Sequence, residues 1–446
     1  MKALSIIILV VTTAAVYAQQ PAVRNDSNTP LHALQPDYPV PYGATTATSV
    51  KSVLDRVHKY LQEVTPPFIV HAKTGGTILP NSKPLREAIL KPGDFRITSY
   101  EWGVTYSGMM LASSTTGDKR FYEYANQRLS FLAEASNYFT KYEKQFPDAR
   151  NPLHGVLHPG ALDDAGSICA AMIKAERMNI EPTLRPMIDN FMNYIVHREF
   201  RLKDGTLARN RPLPNTLWLD DLYMSVPAIA QMGKLTGDSE YYDKAVKQIK
   251  LFAGRMFNHE KGLYMHGWSE SMPVHPEFHW ARANGWALMT KVEVLDVLPA
   301  DHPGRKEVLD LLTAHMNGLA RYQSGSGFWH QLIDRNDTYL ETSATAIFSF
   351  CITQAINRGW IDRKAYAPMA LLAWSAVSSK VNDRGQVEGT CVGTGMAFDP
   401  AFYYHRPVNV YAAHGYGPVL LAGAAMYELL THHPPEMNDS AVMFSK

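Results

Sequence analysis

From Thr46 onward, apolar residues recur along the chain with the period of a helix. In "TSVKSVLDRVHKYLQEV", Val50, Val53, Leu54, Val57 and Leu61 stand three or four positions apart and so share one helix face. Amphipathic stretches of this kind follow one another as far as "GPVLLAGAAMYELL", Gly417 to Leu430, with no long linker and no abrupt change of composition. Residues 19 to about 45 read differently. "QQPAVRNDSNTPLHALQPDYPVPYG" is polar and rich in proline, the pattern of an extended leader segment.

The helical pattern echoes itself. "TGDKRFYEYA", Thr116 to Ala125, recurs 120 residues later as "TGDSEYYDKA", Thr236 to Ala245. In each copy Gly suits the C-cap of one helix and Asp the N-cap of the next, which is the joint of a helical hairpin. The spacing fits two hairpins of roughly 60 residues each, and about six such hairpins fill residues 46–446. Typical open solenoids have shorter and more alike repeats. The expected fold is therefore all-α, a closed (α/α)6 barrel of six helical hairpins.

Composition narrows the partners. The 446 residues are 46% hydrophobic and 19% charged, with a formal net charge of +1, which argues against a nucleic-acid binder. Aromatics reach 11%, with 8 Trp and 23 Tyr; in an exported protein this richness suits stacking on sugar rings as well as core filling. The N-terminus "MKALSIIILVVTTAAVYAQQ" has a charged Lys2, an apolar run to Val16 and a small-residue cleavage signature ending at Ala18. It predicts a signal peptide over residues 1–18, hence export to the periplasm or the medium. The apolar run is too short for a membrane anchor. Cys169, Cys351 and Cys391 are three in number and lack a C-x-x-C spacing, so buried free thiols are expected.

Candidate chemistry gathers in loops rich in Gly, His, Trp and Asp: "HGVLHPGALDDAG", "YMHGWSESMPVHPEFHWARANGW", "GSGFWHQLID" and "VEGTCVGTG". Polar and aromatic loops at one mouth of a barrel are where a site is expected. "TLWLDDLYMSVPAIA" reads as a helix beginning near Trp218, with Pro227 kinking it or limiting its first turn. Helix capping accounts for Asp220 or Asp221 there. "GALDDAGSICAAMIKAE" repeats the design with Asp163 and Asp164. Two carboxylates brought to one mouth would split their protonation by mutual repulsion, one neutral and one ionised. Helix N-termini favour the ionised form, so the acid also needs desolvation, for which Trp218 and Trp286 are placed. In "MHGWSESMPVHPEFHWARANGW", Arg282 among tryptophans suits an anionic sugar; an arginine packed on aromatics and neutralised by Glu277 accounts for it equally. His154 and His158 stand four apart near Asp163, but Gly155, Pro159 and Gly160 make that segment a loop, and neither a metal nor another cofactor is expected.

Together, "TLWLDDLYMSVPAIAQMGKLTGD", "HGWSES…FHWARANGWALMTKVEVLDVLP" and "YLETSATAIFSFCITQAINRGWI" resemble the unsaturated uronyl hydrolases of glycoside hydrolase family 105, which include unsaturated rhamnogalacturonyl hydrolases, and more distantly family 88. The resemblance implies an (α/α)6 barrel acting on the unsaturated uronic acid, galacturonyl or glucuronyl, that a lyase leaves at a non-reducing end. A protonated Asp delivers a proton to carbon 4, water adds at carbon 5, and the hemiketal rearranges to release the aglycone. The carboxyl-separation rule for retaining and inverting enzymes then does not apply. By motif, Asp220 matches the catalytic acid/base and Asp163 the assisting aspartate, with Asp164 an alternative by one position. Trp218, His266, Trp280, Arg282, Trp286 and Tyr100 match substrate-binding positions, and Asp221 is left as a capping or surface partner. Two departures bear on the aglycone subsite: Arg209 and Asn210 stand where some members carry a His, and Ser269 where many carry Asp. A conventional (α/α)6 glycosidase or lyase acting on saturated chains is the alternative, and a non-catalytic sugar-binding barrel a further one.

Overall fold

The computed structural model describes residues 23–34, 37, 39–439 and 442–444; the expected signal peptide lies outside them. Among the described residues, twelve helices of nine or more residues form the frame. In chain order they are α1 Ala47–Val64, α2 Tyr100–Thr116, α3 Lys119–Gln145, α4 Leu162–Glu176, α5 Arg185–Asn193 and α6 Val226–Thr236, followed by α7 Glu240–Met256, α8 Ala281–Val297, α9 Arg305–Ala320, α10 Thr342–Asn357, α11 Arg363–Ser378 and α12 Tyr416–His432.

The even-numbered helices pack α2–α4–α6–α8–α10–α12 and back to α2, and each odd-numbered helix packs on the outside of this ring. That is the (α/α)6 barrel. The sequence sorts the two layers. Every residue of α10 from Thr342 to Ile356 is buried, and in α8 all but Asp296, as helices surrounded on all sides must be. Outer helices bury one stripe; in α7 it is Tyr242, Ala245, Val246, Ile249, Phe252 and Met256. The two echoed motifs are hairpin joints. Gly117 and Gly237 are left-handed C-caps at φ +72° and +77°, a conformation that favours glycine. Asp118 caps α3, and Asp238 accepts from Glu240 N just ahead of α7.

Inner helices meet at matching depth near their N-termini. A Cβ on Gly103 in α2 would lie 2.4 Å from the Ser167 carbonyl carbon in α4, and one on Gly166 in α4 1.6 Å from the Met224 carbonyl oxygen, just ahead of α6. The inner helices therefore run parallel, and the loops entering them share one mouth. A three-stranded sheet (Ile69–His71, Thr77–Ile78, Ala88–Leu90) links α1 to α2, and a hairpin (Pro435–Met437, Val442–Phe444) follows α12. All three cysteines are buried and free. Among the described residues no helix is long and apolar enough to cross a membrane.

Candidate active site

Asp163 sits in the first turn of α4. Asp220 does not open a long helix as the sequence pattern suggested. It lies on a 3-10 turn, Leu219–Leu222, between the short strand Thr216–Trp218 and α6, whose N-terminus holds Pro227. That strand pairs antiparallel with Gly267–Ser269, Trp218 opposite Gly267, and Leu219 N donates to His266 O at 2.9 Å. The pairing brings the W-x-D and H-G-W motifs together: His266 Nε2 and Asp220 Oδ2 share a hydrogen bond of 2.8 Å. On its other side, His266 Nδ1 lies 2.7 Å from the Tyr403 hydroxyl, which also stands 3.0 Å from the carbonyl and 3.1 Å from the N–H of Ala397. With the Tyr403 hydroxyl facing Nδ1, Nε2–H donates to the Asp220 carboxylate.

Arg209 links the two aspartate pairs. Its Nε donates to both Asp221 oxygens at 3.0 and 2.8 Å, its Nη2 reaches Asp163 Oδ1 at 3.2 Å, and its guanidinium lies 4.3 Å from the Trp218 ring centre. Two sequence-based expectations change here. Asp221 is no surface partner: it is fully buried as the counter-ion of Arg209. Arg209, noted as a departure that alters the aglycone subsite, instead joins the candidate catalytic Asp163 to the buried Asp221. Asp163 rather than Asp164 faces this centre, because Asp164 Oδ2 is occupied by Gly160 N at 3.0 Å.

The electrostatics separate the two carboxylates. Burial pushes Asp163 above the usual carboxylate range, with Arg209 pulling down and Asp220 pushing up. Burial pushes Asp220 up as well, but His266, Arg209 and Arg282 outweigh it and hold it below its usual value. One neutral and one ionised carboxylate is the expected arrangement, but in the free site it is Asp163 that keeps its proton to higher pH. The physical reason is the imidazole against Asp220.

The remaining residues form two layers. Tyr100, Asp163, Trp218 and Asp220 keep exposed surface at the mouth. His266, Trp280, Arg282 and Trp286 are each 1% exposed and stand behind them. Trp286 stacks on Tyr223 with ring centres 5.0 Å apart. Arg282 Nη1 and Nη2 donate to the carbonyls of Cys391 and Val392, each at 2.7 Å, and the guanidinium lies 4.6 Å from the Trp280 ring centre. Its nearest carboxylate is the buried Glu341 at 3.9 Å; Glu277 instead meets Asn258. Ser269 is buried and hydrogen-bonded to His275 and Ser271. The Tyr100 hydroxyl meets His414 Nε2 at 2.6 Å. Tyr403, Glu341 and His414 escaped the sequence reading because their partners lie far off in the chain, 314 positions for Tyr100 and His414. A cavity of about 1200 Å³, lined among others by Asp94, Arg96, Glu143, Arg150 and His154, adjoins this mouth. It reaches Asp164 through Gly155, where a Cβ would lie 3.5 Å from Asp164 Oδ1.

The sequence model of Glycosyl Hydrolase Family 88 matches residues 83–430. The chain belongs to that family. Among its relatives, the unsaturated rhamnogalacturonyl hydrolase YesR of Bacillus subtilis is 25% identical over 233 residues, which cover 51% of this chain and 66% of that protein. An unsaturated 3S-rhamnoglycuronyl hydrolase of Alteromonas is 29% identical over 215 residues, covering 47% and 50%. The chain thus spans about half to two thirds of the length of these relatives. A solved structure of a possible member of family 105 from Klebsiella pneumoniae shares the fold, with a TM-score of 0.69 and 22% identity over 87% of this chain and 95% of that one.

Proposed function

We propose that this family 88 protein removes the 4,5-unsaturated uronic acid, galacturonyl or glucuronyl, from the non-reducing end of lyase-generated oligosaccharides by hydrating its vinyl ether. The observation that carries the proposal is the 2.8 Å hydrogen bond between His266 and Asp220, with a second carboxylate, Asp163, at the same mouth. The names of the relatives, hydrolases of unsaturated rhamnogalacturonyl and rhamnoglycuronyl compounds, support the substrate class. Hydration asks for one proton at carbon 4 and a water deprotonated at carbon 5, and a carboxylate that first gives and then takes a proton serves both steps.

In this reading Asp220 supplies the proton. In the free site His266 holds Asp220 ionised; the uronate carboxylate, arriving near Arg282 and the N-termini of the parallel inner helices, offsets the positive potential that stabilises that charge. Asp220 then takes up a proton as the substrate binds, passes it to carbon 4, and recovers one from the water that adds at carbon 5. Asp163, tied to Arg209 and kept neutral to higher pH, donates a hydrogen bond to the substrate and fixes its orientation. Trp218, partly exposed at the mouth, is placed for stacking on the sugar. We further propose export through residues 1–18, on the sequence pattern alone.

The test is a panel of unsaturated oligosaccharides made by lyases from pectin, arabinogalactan and glycosaminoglycan, each followed through the ultraviolet absorbance of the uronate double bond. Loss of absorbance with at least one of them is expected. Unchanged absorbance throughout, with sugar released from saturated chains, would assign the site to a conventional glycosidase.

A further inference from the structure

The loop that leads into Asp163 carries two histidines that the proposed chemistry does not use. Gly155, Pro159 and Gly160 mark the segment as irregular, yet His154–Leu157 closes one helical turn, and His158 N donates back to His154 O at 2.7 Å. The turn sets the two imidazoles side by side, with ring centres 5.0 Å apart. Glu143, near the end of α3, faces both: its Oε2 lies 2.9 Å from His158 Nε2 and its Oε1 3.6 Å from His154 Nδ1. The three donor groups lie within 4.8 Å of one another.

Those separations have a chemical meaning. A tetrahedral zinc ion with nitrogen and oxygen ligands at about 2.0–2.1 Å holds its donor atoms about 3.3–3.4 Å apart. Glu143 meets the imidazoles through separate oxygens, Oε2 at 2.9 Å and Oε1 at 3.6 Å, each within about half an ångström of that value. A small turn of the carboxylate therefore sets one oxygen between the rings. Two imidazoles and one carboxylate suit zinc, whereas calcium and magnesium take oxygen ligands. We propose that Glu143, His154 and His158 form a zinc site with three protein ligands and water in the fourth position.

Its place in the fold gives it a task. Zinc there joins the end of outer helix α3 to the turn ahead of inner helix α4. Asn190 already holds the same turn from α5 through the carbonyls of Val156 and Leu157, both at 3.1 Å. Two residues beyond His158, Gly160 N donates to Asp164, and Asp163 follows. The metal would staple the segment that sets the height of Asp163 at the mouth, without touching the proton-transfer groups. The inference does not depend on which sugar the site accepts.

The experiment uses the full chain without an affinity tag, stripped with a chelator and dialysed against zinc. Bound metal is counted by elemental analysis, and cobalt(II) replaces zinc for visible spectroscopy. We expect about one zinc per chain, tetrahedral cobalt bands, and a melting temperature that rises with zinc. His154→Ala/His158→Ala should lose all three responses; the histidine side chains are 70% and 55% exposed, so folding should survive. Glu143→Gln should weaken zinc binding at least about tenfold. No zinc above the double-variant level, or equal zinc in parent and variants, would overturn the proposal and leave a hydrogen-bonded Glu–His cluster.

Discussion

Arg209→Met is the perturbation whose consequences can be worked furthest from the structure. Arg209 is 6% exposed and its counter-ion Asp221 is 0% exposed. Both Asp221 oxygens are held by Nε, at 3.0 and 2.8 Å. Removing the cation leaves a carboxylate buried and unpaired, which costs about 3–5 kcal/mol. Against a total stability of about 5–15 kcal/mol, the variant should fold but melt early. Replacing both partners, Arg209→Met with Asp221→Leu, removes the charge along with its counter-ion and should recover most of the loss. The same substitution withdraws a positive charge that lowers both Asp163 and Asp220. Both carboxyls then keep their protons to higher pH, and the alkaline limb of the rate profile should move upward. Urea unfolding followed by tryptophan fluorescence gives the stability, and absorbance assays across pH give the limb. A loss below about 1 kcal/mol, or a double variant as unstable as the single one, would refute the buried-pair reasoning.

Three other predictions follow from particular contacts. His266→Gln keeps a hydrogen-bonding group beside Asp220 but no ionisable ring, and kcat should fall about 100-fold or more with little change in folding; near-parent kcat would place the transferable proton elsewhere. Lys291 is buried under the Tyr264 ring with its pKa lowered to about 7. Between that value and the ordinary lysine pKa of about 10.4, the unfolded chain binds the extra proton, so stability rises with pH across this window. Lys291→Met should accordingly raise the melting temperature at pH 7, with the gain fading toward about pH 10; a pH-independent effect would contradict this. In Gly166→Ala the new methyl would lie 1.6 Å from the Met224 carbonyl oxygen, so α4 and the Asp220 turn must separate. About 3 kcal/mol of stability and most of the activity should go, and parent-like unfolding would disprove the close approach.

The ring was legible because its causes are local. Inner helices such as Thr342–Asn357 carry small or apolar residues on every side, and the Gly117–Asp118 and Gly237–Asp238 joints carry their own cap chemistry. The motifs that gather at the mouth were legible too, through Trp218, Asp220 and His266. Their division of labour was not. Asp220 owes its 3-10 turn to a strand pairing with residues some fifty positions later, and its electrostatics to His266. Arg209 could be recognised only once Asp163, 46 positions back, and Asp221, 12 ahead, were seen to converge on it. The turn at His154 was misjudged for a related reason: a single helical turn containing glycine has little stability of its own and is held here by Asn190.

The central claim, that Asp220 and His266 deliver a proton to the double bond instead of displacing the aglycone directly, is tested most directly in deuterium oxide. The wild-type chain and Asp220→Asn are each supplied with an unsaturated disaccharide that loses absorbance, and the released uronate product is read by NMR. Deuterium at carbon 4 in the wild-type product, and no turnover by a well-folded Asp220→Asn, is the predicted result. Release of the uronate with its double bond intact and no deuterium at carbon 4, or full activity in Asp220→Asn, would contradict it.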